Sequence, residues 1–126
     1  MNIPENLRYS TDHEWIRVEG DFGFIGITEF ASHELGDIVY LEVETLDEDI
    51  MMDGVFGSIE AVKTVSDLLM PVSGKVLEVN GLLETNPETI NTDPYGNGWI
   101  IKINILDPSQ IDGLMDAAAY AKFIAG

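Results

Sequence analysis

Cysteine is absent from the 126 residues. That excludes a disulfide framework and any thiolate metal site, so thiol chemistry at this protein must be brought by a cofactor. Basic residues are scarce. Six Lys and Arg stand against 23 Asp and Glu, for a formal net charge of −17 at pH 7. Twelve of those carboxylates lie between Val18 and Val62, where there is no Lys or Arg at all. Such a field repels phosphate, which argues against nucleic acid and anionic membrane as partners and favours basic protein surfaces. Long apolar runs are also missing, none approaching the roughly 18 residues of a membrane span. The segment Met1 to Asn6 has neither a secretory nor a transit-peptide character, so a cytoplasmic protein is expected. The length, with 45% hydrophobic residues, suits one globular domain over residues 1–126.

What is present reads mainly as short strands. Trp15-Ile16-Arg17-Val18 and Phe22 to Ile27 flank a turn at Glu19-Gly20-Asp21, a hairpin pattern. Ala31 to Leu35 reads as a brief helix stopped by Gly36. Strands follow at Ile38 to Glu44 and Lys75 to Asn80, and a last one at Trp99 to Ile105. Asp47-Glu48-Asp49 reads as an acidic connection, and residues 82–98, rich in Asn, Pro, Thr and Gly, as a long loop. Asp107-Pro108-Ser109 opens a C-terminal helical pattern, which Gly113 divides into two short pieces. Many short strands with glycine turns and few helices predict a small β-sandwich or barrel.

Catalytic constellations are hard to assemble, and no catalytic residue is assigned. His13-Glu14-Trp15-Ile16-Arg17 has the opening of a zinc-protease helix, but Arg17 stands where the second histidine belongs. Asn91-x-Asp93 with Gly96 resembles part of a calcium loop, but Lys102 takes the place of its closing glutamate. No metal site and no phosphate loop are expected. Lys63 stands apart as the one basic residue between Arg17 and Lys75. It lies between Val55 to Ile59 and Val65 to Met70, apolar stretches bounded by turns at Asp53-Gly54 and Pro71 to Gly74. A lone lysine is ordinarily a solvated surface group. At the bend of a hairpin, however, its amine is held out to a modifying enzyme, and acylation would remove its charge.

The order and spacing of many short motifs resemble the H protein of the glycine cleavage system over nearly the whole chain. They include His13-Glu14-Trp15, Gly26-Ile27-Thr28, Leu35-Gly36-Asp37-Ile38-Val39 and Glu60-Ala61-Val62-Lys63. Pro71 to Val76, Asp93-Pro94-Tyr95-Gly96 and Gly98-Trp99 continue the series. The resemblance implies a mainly β fold: a lipoyl/biotinyl-type barrel-sandwich hybrid with a short internal helix and a C-terminal helix. It implies a carrier, not an enzyme, with (R)-lipoic acid amide-linked to Lys63. The implied partners are a pyridoxal-phosphate glycine decarboxylase (P protein), a tetrahydrofolate-dependent aminomethyltransferase (T protein) and a flavin dihydrolipoyl dehydrogenase (L protein). A lipoyl ligase or octanoyltransferase would attach the arm and recognise Glu60.

An aminomethyl group carries an ammonium and hydrolyses in water, so its carrier should shelter the arm in a cleft and offer a carboxylate. By the resemblance Glu14 and Asp67 lie near that cleft, with Thr64 beside the lysine. All three would otherwise pass for ordinary exposed groups. The chain departs from the usual family pattern at Ala61 and Thr64 beside the lysine, and at Phe30, where histidine is common. Carriers of this fold serving sulfur oxidation or lipoyl relay would look much the same. A biotin carrier fits less well, because Val62 stands where methionine is usual, and an unmodified acidic binding module is a further alternative.

Overall fold

The computed structural model describes residues 1–126. Nine strands make two sheets: β1 (Arg8–Tyr9), β2 (Glu14–Glu19), β3 (Phe22–Ile27), β4 (Ile38–Glu42), β5 (Asp49–Ile50), β6 (Val55–Ala61), β7 (Val65–Leu69), β8 (Gly74–Val79) and β9 (Ile101–Ile105). The larger sheet has the order β1-β2-β3-β9-β8-β5 and the smaller β4-β6-β7, both open at their ends. Four helices join them: α1 (Glu29–Leu35), α2 (Leu82–Thr85), α3 (Thr89–Thr92) and α4 (Ala117–Ala125). The expected mainly β fold with an internal and a C-terminal helix is therefore present, as two sheets without a closed barrel. No helix is long and apolar enough to cross a membrane.

The core follows from the period-two alternation of the strands. Ile16, Ile25 and Ile103 from the larger sheet meet Phe56, Ile59 and Leu68 from the smaller one in a single buried cluster. On the outer face of the larger sheet Trp15 and Tyr9 form a second cluster with Tyr120 of α4, whose ring stacks on Tyr9 at 4.7 Å. The start of β2 is thus buried on both faces: Glu14 and Ile16 point one way and Trp15 the other. Trp15 lies opposite Gly26 in the β2–β3 register, and its indole N–H is shared by the carbonyls of Ile27 and Pro94.

Two segments differ from the sequence-based expectation, while the C-terminal helical pattern divides in two as Gly113 indicates. Residues 82–98 are not one loop, because Leu83 and Ile90 are buried and anchor the single turns α2 and α3. The acidic connection is drawn into the larger sheet, where Asp49 and Ile50 pair with Lys75 and Gly74 as β5. The C-terminal helix is split into a 3-10 turn at Pro108–Gly113 and α4. Between those pieces Met115 leaves helical geometry to exchange two backbone bonds with Tyr9.

A methyl group added at Gly26 would lie 2.7 Å from Cζ2 of Trp15, a ring with no solvent exposure. Gly26→Ala is expected to cost about 1–3 kcal/mol by forcing the indole off its two carbonyls. Urea unfolding followed by tryptophan fluorescence reads this, and an unchanged midpoint would refute the packing described.

Candidate functional site

The β6–β7 hairpin carries Lys63 at its tip. Ala61 N–H donates to the Thr64 carbonyl at 2.8 Å, leaving Val62 and Lys63 as a two-residue bend. Both stay out of the left-handed region, so the tip needs no glycine. Val62 and Val65 beside it are 75% and 63% exposed, apolar side chains held in water. A second bond ties the tip down, from Val62 N–H to the Asp37 carbonyl at 3.0 Å.

The platform under the lysine is the junction of α1 and β4. Thr28 caps α1 by accepting from Ala31 N–H, and Gly36 ends it at φ 81°, with its own N–H bonded to Ser32. A side chain at Gly36 would be strained at that φ and would place its Cβ 3.3 Å from Cε of Lys63. Glycine thus lets the lysine stem lie across the end of the helix. Asn91 of α3 holds the junction rigid: its Oδ1 accepts from Ile38 N–H, while its Nδ2 donates to Ser32 Oγ and the Gly36 carbonyl.

A cleft of about 340 Å³ lies between α1 and β7, the two elements that lead to this junction and this tip. Ile27, Ala31, Leu35, Ile59 and Leu68 supply its apolar lining, and Asp12, Glu14, Glu34 and Asp67 its carboxyls. The two carboxyls expected from the sequence behave differently. Glu14 is 3% exposed and accepts from Ser10 Oγ–H at 3.0 Å and Leu69 N–H at 3.1 Å. Burial pushes it up to about 8, against the pull of those two bonds. Asp67 is exposed and stands opposite Ser58 in the β6–β7 register.

Thr64 lies outside the cleft, exposed at the tip, where its carbonyl closes the bend. Glu60 is exposed on β6, level with Tyr40 of β4 and Val65 of β7, just below Lys63. An apolar lining with a carboxylate rim, opening beside a lysine, fits a thiol-bearing apolar arm attached to that amine and carrying a cation.

Sequence reasoning missed the aromatic and helical part of the wall. Phe30, Ala31, Glu34 and Leu35 line the cleft because they repeat at helical spacing on one face of α1, a signal available in the sequence. His13, at φ 66°, packs with tilted rings between Phe30 at 4.9 Å and Phe123 at 5.6 Å. Its Nδ1 is 2.8 Å from Tyr120 Oη, which is 2.7 Å from Thr28 Oγ1. Burial lowers the His13 pKa, opposed by Asp12 and Glu34. The C-terminal helix is thereby joined to the cleft wall and to the cap of α1.

Glu14 makes stability depend on pH with a definite sign. Its folded pKa is raised, so its contribution is complete below the ordinary 4.5 and is lost as pH climbs through about 8. Glu14→Gln keeps the shape and removes the titration. Between pH 5 and pH 8 the wild-type protein is expected to lose on the order of a few kcal/mol more stability than the variant. Urea midpoints for both proteins at the two pH values measure this, and parallel curves would rule out the buried proton.

The comparisons with known proteins agree with one another. The family model for the glycine cleavage H-protein matches residues 7–126. The glycine cleavage system H protein of Symbiobacterium thermophilum is 53% identical over 122 residues, covering 97% of this chain and 95% of the relative. That of Bacteroides thetaiotaomicron is 50% identical over 126 residues, covering all of both chains. The crystal structure of a glycine cleavage system H protein from Mycobacterium marinum superposes with a TM-score of 0.89 at 36% identity, covering 98% of this chain and all of that one. With its fold, its hairpin lysine and these similarities taken together, the chain belongs to the glycine cleavage H-protein family.

Proposed function

We propose that the chain is the lipoyl carrier of a glycine cleavage system, with (R)-lipoic acid joined to Lys63 through an amide. The observation that carries this is a single lysine on a pinned hairpin tip, beside an apolar cleft rimmed by carboxylates. Attached there, lipoate supplies a dithiolane that accepts an aminomethyl group, yields it and is reoxidised. The protein supplies the rest. Lys63 anchors the arm, Gly36 leaves room for the lysine stem, and Glu60, exposed below the tip, is the feature a lipoyl ligase or octanoyltransferase reads.

The cleft acts on charge and water. Its apolar residues cover the arm and exclude solvent, while Asp67 and Glu14 face the cationic end. Glu14 holds a proton at neutral pH while no cation is near. An ammonium entering the cleft favours its ionisation, so loading is coupled to proton release from a group already held by Ser10 and Leu69. The carrier itself does no bond chemistry. The decarboxylase, the aminomethyltransferase and the dihydrolipoyl dehydrogenase act on the arm in turn, and the acidic surface favours their basic faces. Residues 1–126 act as one lipoyl-carrier domain in the cytoplasm.

Two measurements test this. Trypsin cleaves after free lysine but not after an acylated one. Protein co-expressed with a lipoyl ligase is therefore expected to yield the uncut peptide from Val18 to Lys75, heavier by one lipoyl group, whereas Lys63→Ala takes up no label and supports no glycine–bicarbonate exchange. Cleavage after residue 63 in the co-expressed protein, or full exchange by the variant, would overturn the assignment. Separately, Asp67→Asn is expected to shorten the hydrolysis half-life of the aminomethyl-loaded protein about 3-fold or more, the loss of one charge-assisted contact. An unchanged half-life would return Asp67 to an ordinary surface carboxylate.

A further inference from the structure

A second cavity, of about 410 Å³, lies along the free edge of β4 and shares no residue with the arm cleft. Its near wall is the strand and its continuation, residues 39–44, and its far wall runs from Val79 to Pro87. β4 is the outer strand of the small sheet and pairs only with β6. No backbone or side-chain bond outside that ladder involves residues 39–44, so the outward edge keeps unpaired donors and acceptors. Leu41, Val43 and Val79 floor the groove together with the buried Leu83.

An open edge of this kind invites pairing with another chain, and charge alone is often its protection. Here the charges stand among apolar side chains held in water: Val39, Tyr40 and Leu46 are 46%, 54% and 51% exposed on the same wall. Glu42, Glu44 and Glu84 rim the groove, and neither of the protein's two ion pairs, Arg17–Glu19 and Glu29–His33, involves them. The groove therefore offers backbone pairing, an apolar floor and uncompensated negative charge together.

We propose that this groove docks an extended segment bearing Lys or Arg, contributed by an enzyme that acts on the arm, which adds beside β4 as a fourth strand of the small sheet. Backbone pairing supplies affinity, alternate apolar side chains enter the floor, and basic side chains reach Glu42, Glu44 and Glu84. The six residues 39–44 span roughly 20 Å of extended chain. The upper end of the groove adjoins the hairpin tip, since the Asp37 carbonyl just before β4 bonds Val62 beside Lys63. A segment lying there would orient its enzyme towards the lysine and leave the arm cleft free.

This inference rests on the carrier reading, and the two can fail separately. Amide exchange of the lipoylated protein is measured alone and with saturating decarboxylase, aminomethyltransferase or dehydrogenase. One of the three is expected to slow exchange across residues 39–44 about tenfold. For that enzyme Glu42→Gln with Glu44→Gln is expected to raise KM for the carrier about tenfold, leaving kcat and ligase-catalysed lipoylation unchanged. Glu84→Lys, on the far wall and outside every strand, repeats the effect without touching the sheet. Asp112→Lys changes net charge as much as the double substitution but lies outside the groove, and should leave KM within twofold. Absence of protection with all three enzymes, or an equal KM rise for Asp112→Lys, overturns the docking site. Lipoylation and turnover dependent on Lys63 would still stand in that case, whereas full activity of Lys63→Ala would remove the carrier reading itself.

Discussion

The geometry of the site depends on one half-buried side-chain amide. Asn91 uses both ends of its side chain to bind the last turn of α1 to the first residue of β4. The carbonyl between those two points, that of Asp37, then receives the N–H of Val62. A two-residue bend would otherwise be free to sway on its hairpin. Here it rests on a junction whose own backbone is already fixed from the far side of the chain. The lysine gains a long mobile stem on an immobile base, which suits a group presented to several enzymes without a change in the protein's shape.

Two carboxyls with one expected task occupy opposite environments. Glu14 stands on the inner face of a strand that is buried on both sides, so solvation cannot offset the cost of its charge. Asp67 stands in water at the rim, on a strand exposed along its outer face. An entering ammonium would meet the solvated charge first and the protonated one deeper in.

The parts of the fold legible in the sequence were those with a repeat. The β2–β3 and β6–β7 hairpins showed alternation and turn residues, and Gly36 marked the end of α1 at a position where only a left-handed backbone serves. The single turns α2 and α3 had no repeat to read, because one buried residue each, Leu83 and Ile90, holds them in place. Asp49 gave no sign of entering a sheet, since its pairing with Lys75 is imposed by the neighbouring chain. Within the site, Lys63 was visible as the only cation in a long acidic stretch, and Glu14 and Asp67 only through family resemblance. The burial that shifts Glu14 comes from packing. Thr64 was adjacent in sequence yet points its role at the turn, not the cleft. The groove beside β4 could not be read at all, because residues 39–44 and 79–87 meet only in three dimensions.

The charge distribution carries a cost that the fold does little to offset. With 23 carboxylates and two ion pairs, most negative charges face water without an internal partner, and their mutual repulsion works against compactness. A protein shaped for stability alone would gain from placing lysines among Glu42, Glu44, Glu60 and Asp67. The small sheet instead keeps Glu42, Glu60 and Asp67 on the strands that carry the lysine hairpin and the open edge, with Glu44 just past the end of β4, among exposed Tyr40, Val55 and Val65. Apolar groups in water and unpaired like charges are both unfavourable in the free protein, and both are relieved by one event, the approach of a basic, partly apolar surface. The sheet that presents Lys63 therefore holds exposed apolar side chains and unpaired like charges together.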